Sequence, residues 1–325
     1  MRREFAALVG SAALGAGVLL AEPASAEPTM PSVAEPTVSS SAVPTMSSVA
    51  VPCSTWTVSE VTSGQGVLEN LAFDGKGTMM VSRSDLLGGG ALDGVSPDGT
   101  VTPIIPEVDA PGGIAVDGDD VYFTTGNSFT AGIMGLDNGT VDTLSLDTGD
   151  TRTVAGGLVM PNGLARLSNG DILISRNLGS GAGITRIPAQ APHIPEVLRT
   201  DLGTVNGLAA HDGNVYTVTT FDARTALHIL REDDLGGQVV SIELPGSGPL
   251  NGADDLTVGP DGIVYVAYNV GGKVVRVDPA TGESCDIASG LPLVSSVRFG
   301  AGPGWNPDAL YATSFTGAIY QIERP

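Results

Sequence analysis

From residue 53 onward the apolar and polar positions repeat one arrangement six times. An apolar strand is followed by a turn of Gly, Asp, Asn or Pro, and then by an alternating strand rich in Val, Tyr, Ile and Thr. The copies begin at Glu69 (ENLAFDGKGTMMVSR), Gly112 (GGIAVDGDDVYFTTGN), Asn162 (NGLARLSNGDILISRN), Asn206 (NGLAAHDGNVYTVTTFD), Asp254 (DDLTVGPDGIVYVAYN) and Ser295 (SSVRFGAGPGWNPDALYATSF). Their starts are 43, 50, 44, 48 and 41 residues apart. Apolar–polar alternation with a period of two, interrupted by turn residues, marks each copy as a β-hairpin. Two further short strands follow each hairpin, as in GGKVVRVDPATGESCDIASG after the fifth.

Four strands per repeat of this length make a propeller blade. The expected fold is therefore all-β, a six-bladed β-propeller with four-stranded blades over residues 53–325. No window carries a sustained helical period with caps, which removes α/β alternatives. A sandwich would not require six near-copies. The sixth repeat lacks a strand before the chain stops, and STWTVSEV is a spare strand ahead of the first hairpin. Their pairing would close the ring and remove two open sheet edges. On that reading, deleting residues 53–62 unfolds the domain, whereas deleting residues 27–50 does not.

Residues 1–26 break this pattern. Met1-Arg2-Arg3 precedes a charge-free apolar run and the small-x-small site Ala24-Ser25-Ala26, as in a secretory signal. The run is too short, and too rich in Ala and Gly, to span a bilayer. Export by the Sec route, or by a twin-arginine route from Arg2-Arg3-Glu4-Phe5, would make the protein secreted or held at the cell envelope. Residues 27–52 are almost entirely Pro, Ser, Thr, Val, Ala and Met, and are expected to be a disordered tether. Cys53 and Cys285 are the two cysteines, and an oxidising compartment favours a disulfide between them.

Composition narrows the partners. There are 15 Lys+Arg against 36 Asp+Glu, a net charge of −21. That charge repels phosphate backbones and anionic lipid, so neither nucleic acid nor membrane insertion is expected, while divalent cations are attracted. The 45 glycines are about twice ordinary usage, as many tight turns require. A closed ring with short edges is expected to be a monomer.

In a propeller, equivalent positions of the innermost strands converge on a central channel. Here they read Glu69, Gly112, Asn162, Asn206, Asp254 and Ser295. Two carboxylates and two amide oxygens form a hard-oxygen set suited to Ca²⁺, although another divalent metal would also fit. The competing reading is turn chemistry, since Asn and Asp before Gly tolerate positive φ. Glu69 resists that reading, because Glu is a poor turn residue. The ends of the second strands open on the same face and offer Asn127, Arg176, Asn177, Asp222 and Asn269 as substrate contacts. Tyr216, Tyr265 and Tyr268 are expected to pack between blades. No histidine aligns with another, and no serine lies in a Gly-x-Ser-x-Gly elbow, so a Ser-His-Asp hydrolase is not indicated.

Over residues 53–325 the chain resembles the gluconolactonase/regucalcin (senescence marker protein) family of calcium-dependent six-bladed propellers, most closely in NGADDLTVGPDGIVYVAYNVGGKVVRVDPATGES. The resemblance implies that Glu69, Asn206 and Asp254 are protein ligands of a catalytic metal. It also implies that Asn162 contacts substrate or metal at the channel mouth. It implies hydrolysis of a small cyclic ester, with Asp254 the best candidate to activate water. The family opens with a Gly-Glu-Gly/Ser-Pro run around its Glu, where this chain has Val67-Leu68-Glu69-Asn70-Leu71. It has Asp-Gly where this chain has Asp254-Asp255, which leaves open which of the two carboxylates faces the channel. Two other functions fit the same ring. One is a phosphotriesterase-like hydrolase, and the other a non-catalytic propeller that binds an envelope component or a protein.

Overall fold

The computed structural model describes residues 45–47, 53–85 and 89–325. They form six antiparallel blades in which strands pair with their neighbours in sequence, apart from residues 45–47 and the closing strand of blade six. Blade one comprises Val67–Phe73, Met79–Ser84, Gly90–Val95 and Val101–Ile105. Blade two runs Ile114–Asp117, Asp120–Thr125, Gly139–Ser145 and Thr151–Leu158, and blade three Leu164–Arg166, Ile172–Arg176, Gly183–Ile187 and Glu196–Arg199. Blade four is Val205–His211, Asn214–Thr219, Ala226–Arg231 and Val239–Glu243. Blade five is Ala253–Val258, Val264–Tyr268, Lys273–Val277 and Ser284–Ser289.

Blade six combines Val294–Phe299, Leu310–Ser314 and Ile319–Glu323 with Thr57–Thr62 from the other end of the domain. The last two pair antiparallel, with Thr57 opposite Glu323 and Val58 opposite Ile322. The spare strand therefore does close the ring. Cys53 is bonded to Cys285 in the outer strand of blade five, and Trp56 N–H donates to Ile287 O at 2.7 Å. These two links hold the closing strand's lead-in against the neighbouring blade. The disulfide spans 232 residues, and the chain-entropy account gives such a closure about 5 kcal/mol.

Each seam between adjacent blades has its own apolar cluster. Alternating strand residues point into the two seams that flank a blade, so the core is divided into six parts. Tyr265 packs in the seam of blades five and six, edge-on to Phe299 and tilted against Trp56. Tyr216 and Tyr268 occupy the seam of blades four and five. All three tyrosines thus pack between blades.

Three residues of the stretch expected to be a disordered tether are described. Residues 45–47 form a short strand, parallel to the outer strand of blade four, with Thr45 opposite Ser241 and Ser47 opposite Glu243. Pairing to an open outer edge satisfies the backbone of a segment that has no core of its own. The rest of residues 27–52, like residues 1–26, lies outside the described residues. Among the described residues no helix is long and apolar enough to cross a membrane.

Candidate functional site

The innermost strands do not run as regular ladders. In four of them the register shifts at the residue singled out above. Leu68 pairs with Arg83 and Asn70 with Ser82, leaving Glu69 out of the ladder. Comparable irregularities fall between Val205 and Leu208, Ala253 and Leu256, and Val294 and Ser296. These bracket Asn206, Asp254 and Ser295. A bulge bends the strand and re-aims one side chain, which explains how a strand residue comes to point along the channel.

Turn chemistry is overturned as the explanation for Asn162 and Asn206. Neither has positive φ, nor do the glycines that follow them. Gly113, Gly163 and Gly207 serve close approach between blades. A Cβ on Gly163 would lie 2.6 Å from Asn206 O, and one on Gly113 would lie 2.7 Å from Asn162 O. The left-handed residues stand just upstream instead. Ala110 (φ 38°), Met160 (φ 46°), Gly252 (φ 54°) and Leu293 (φ 52°) lie two positions before Gly112, Asn162, Asp254 and Ser295. Three of these four are non-glycine residues held in a costly conformation, a form of strain that recurs at binding sites.

These devices gather the polar residues into one cavity of about 750 Å³. Glu69, Asn127, Asn162, Asn177, Asn206, Asp254 and Asn269 all line it. Asp254 is held from two sides: Asn206 Nδ2 donates to its Oδ1 at 2.8 Å and Asn269 Nδ2 to its Oδ2 at 3.2 Å. The second N–H of Asn206 goes to Thr220 Oγ1 at 3.0 Å, and that of Asn269 to Leu293 O at 3.2 Å. With both donors of each amide used, the oxygen is the end left for a ligand. Asn127 Nδ2 donates to Glu69 Oε1 at 3.3 Å, while Asn127 Oδ1 and Asn177 Oδ1 are buried without a hydrogen-bond partner. Such unpaired buried acceptors are uncommon and call for water or a cation.

The electrostatics agree. Burial at the cavity floor raises the Glu69 carboxyl from its ordinary 4.5 to about 7; the Asn127 bond opposes this and the Asp255 charge adds to it. Asp254 is raised well above the usual aspartate value, first by burial and then by the charges of Glu69 and Asp255, against the bonds from Asn206 and Asn269. Two neighbouring carboxyls thus share surroundings that raise the proton affinity of both. A proton or a cation would relieve that arrangement. Among the described residues no three of His, Cys, Asp and Glu gather into a metal cluster, so an ion here would need amide oxygens as well.

Asp254, not Asp255, faces the cavity. Asp255 Oδ2 accepts from Asn70 Nδ2 at 2.7 Å, from Ser296 Oγ at 2.5 Å and from the Arg298 guanidinium at 2.8 Å. It belongs to a second level of the channel, where three blades carry the close-approach glycines. Two positions of the first ring play other parts. Ser295 donates to Leu68 O at 2.6 Å and ties blade six to blade one. Gly112 leaves room for a neighbour, since a Cβ there would lie 2.8 Å from Asn127 Nδ2.

Asp222, like Arg176, is an expected contact residue that lies outside the cavity. Its Oδ1 accepts from Thr204 N and Oγ1 at 3.3 and 3.1 Å, and it braces the loop entering blade four. The position equivalent to Asn177 and Asn269 is Thr220, the first residue past the second strand and two residues before Asp222. Arg176 also turns aside, donating to Leu178 O and Gly132 O. His228 is buried between Ser241 Oγ and Leu202 O, away from this cavity. The apolar part of the lining, including Met160, Phe129, Phe221, Val270 and Phe315, was missed. Phe221, Val270 and Phe315 carried a signal, each lying one or two residues past the second strand of its blade.

No family model matches the chain, and no curated protein matches it in sequence. Solved structures do share its fold. A candidate gluconolactonase from a structural-genomics programme superposes with a TM-score of 0.63 at 17% identity, over 82% of this chain and 92% of that one. A gluconolactonase from Xanthomonas campestris gives 0.62 at 17% identity, over 83% and 90%. Virginiamycin B lyase from Staphylococcus aureus gives 0.54 at 14% identity, over 83% and 99%. Likeness at this level establishes the propeller.

Proposed function

We propose that this protein is an exported, divalent-metal-dependent hydrolase that opens a small cyclic ester, with Ca²⁺ the fitting metal. The observation that carries the reading is the pair Glu69 and Asp254 at the floor of one cavity, with the donors of Asn206 and Asn269 committed and their oxygens free. Hard carboxylate and amide oxygens are the donor set that Ca²⁺ selects. The unpartnered oxygens of Asn127 and Asn177 support the same reading. Glu69, Asn206 and Asp254 would hold the ion, with Asn162 beside them.

When bound, the cation supplies a Lewis acid that stabilises negative charge developing on an ester carbonyl oxygen. The chain's own groups perform the remaining tasks. Asp254 is oriented by two amides and has a raised proton affinity, which suits it to accept a proton from the attacking water. That proton then passes to the ring oxygen as the C–O bond breaks, so the product is an open hydroxy acid. Asn162, Asn127, Asn177 and Asn269 are placed to orient the ester. Lyase chemistry of the kind in the similar propeller is less well supported, because a histidine substitution inactivates that enzyme and no histidine lines this cavity among the described residues. The gluconolactonases among the similar structures favour the hydrolytic reading.

The test is a panel of lactones, aryl esters and phosphotriesters, assayed with and without Ca²⁺, with Glu69→Ala and Asp254→Ala as controls. Calcium-dependent lactone turnover that both variants lose is the expected result. Turnover unchanged in both variants contradicts the assignment.

A further inference from the structure

The upper wall of the cavity contrasts with its floor. Phe129, Phe221 and Val270 line the mouth with 62%, 47% and 57% of their surface exposed, and Met160 and Phe315 lie among the lining residues with them. Single exposed apolar residues need no explanation, but a group around one opening does. The group is also built rather than loose. Phe129 opens a short helix, Phe129–Met134, that is capped by Ser128 Oγ accepting from Ala131 N at 3.1 Å and stopped by Gly135 at φ 68°. Gly132 lets this helix sit on Met160, since a Cβ there would lie 2.3 Å from Met160 Sδ. Arg176 donates to Gly132 O at 3.2 Å and pins it from below. The aromatic edge of the mouth is therefore held in place by the strained Met160 and the half-buried Arg176.

Charge sharpens the selection. The described lining residues include the carboxylates Glu69, Asp85, Asp109 and Asp254, and no Lys, Arg or His. Away from the ion, a phosphate or carboxylate on the substrate would find no basic side chain to pair with. A polyhydroxylated ring would press hydroxyls against Phe, Met and Val, where each one left unpaired weakens binding about tenfold. The cavity volume of about 750 Å³ exceeds what a bare lactone ring fills.

From this we infer that the site takes a neutral lactone bearing an alkyl or aryl substituent, with the ester at the acidic floor and the substituent against Phe129, Met160, Phe221 and Val270. The inference rests on the lactonase reading for the ester end only; the apolar wall selects the substituent whatever the chemistry.

Unreactive δ-lactams serve as probes, titrated by calorimetry into the calcium-loaded protein. The series runs from methyl to octyl substituents, with gluconolactam as the polar comparison. Affinity is expected to rise by up to about fourfold per methylene until the chain outgrows the wall, and to exceed that of gluconolactam. Phe221→Ala and Phe129→Ala should each weaken the octyl lactam by about tenfold. Val240→Ala, on an exposed strand position in blade four, should leave it unchanged. Affinity that is flat with chain length, or tighter binding of gluconolactam, overturns the inference. If affinity climbs with chain length but the matching lactones are not hydrolysed, the apolar site stands and the hydrolase reading fails. If sugar lactones are hydrolysed with calcium and alkyl lactones neither bind nor react, the hydrolase reading stands and this inference fails.

Discussion

Asn206 reaches across the seam between blades four and five and donates Nδ2 to Asp254 Oδ1 at 2.8 Å. One blade thus orients the carboxylate of the next, and the ring must be closed and in register for the site to exist. Replacing the donor with an acceptor tests this. Asn206→Asp would set a third carboxylate against Asp254 and remove its hydrogen bond. The metal-free variant should lose on the order of 2 kcal/mol at pH 8 by urea denaturation. Saturating Ca²⁺ should recover most of that loss, because an added carboxylate repels its neighbour but attracts the ion.

The raised carboxyl of Glu69 makes a pH prediction for the metal-free protein. Its folded value of about 7 lies above the unfolded 4.5, so the folded state binds more protons between those limits. Stability from this group is full below about pH 4.5 and is lost as pH rises through about 7. Glu69→Gln removes the loss. In the absence of metal it should be more stable than the parent at pH 8 by on the order of 2 kcal/mol. Equilibrium denaturation at pH 5 and pH 8 reads both values.

His228 predicts the opposite slope. Burial lowers its value below the ordinary 6.5, and its ring is bonded to Ser241 Oγ and Leu202 O as a neutral group. The unfolded chain binds the proton more readily, so stability is full above about pH 6.5 and falls as pH drops toward the folded value. In a metal-free Glu69→Gln background, His228→Gln should flatten the remaining acid-side decline between pH 7 and pH 5.

Ring closure supplies a prediction about stability alone. Deleting residues 53–62 removes the outer strand of blade six together with the Cys53–Cys285 bond, and should abolish cooperative unfolding. Cys53→Ser keeps the strand and should cost about 2–5 kcal/mol while leaving the fold intact. Circular dichroism melts of the two variants separate the contributions.

Much of this could be read from the chain because propeller geometry repeats. The repeat spacing alone placed Glu69, Asn162, Asn206 and Asp254 on one axis, and the structure brings all four to one cavity. The alternation in each hairpin likewise revealed the seams, so that Tyr265 and Tyr268 could be assigned to them. Where the repeat becomes irregular, the reading weakened. The contact position in blade four is Thr220 and not Asp222, since the loop after that blade's second strand has no periodic marker. The glycines after Asn162 and Asn206 looked like turn residues, yet they answer to backbone atoms of the next blade that only the assembled ring provides. The choice between Asp254 and Asp255 depended on a bulge, and Arg298, which pairs with Asp255, lies 43 residues further along the chain. The apolar mouth comes from loops and a short helix whose lengths follow no repeat.

The central claim is that Glu69, Asn206 and Asp254 hold a divalent cation on which hydrolysis depends. The most direct measurement is lactone hydrolysis followed during a Ca²⁺ titration of the metal-stripped protein, with Asp254→Asn beside it. Activity should appear in proportion to one bound ion per chain, and Asp254→Asn, which keeps the side chain's size, should fall at least about a hundredfold in kcat/KM. Full activity in the stripped protein, or an unchanged titration with Asp254→Asn, would contradict it.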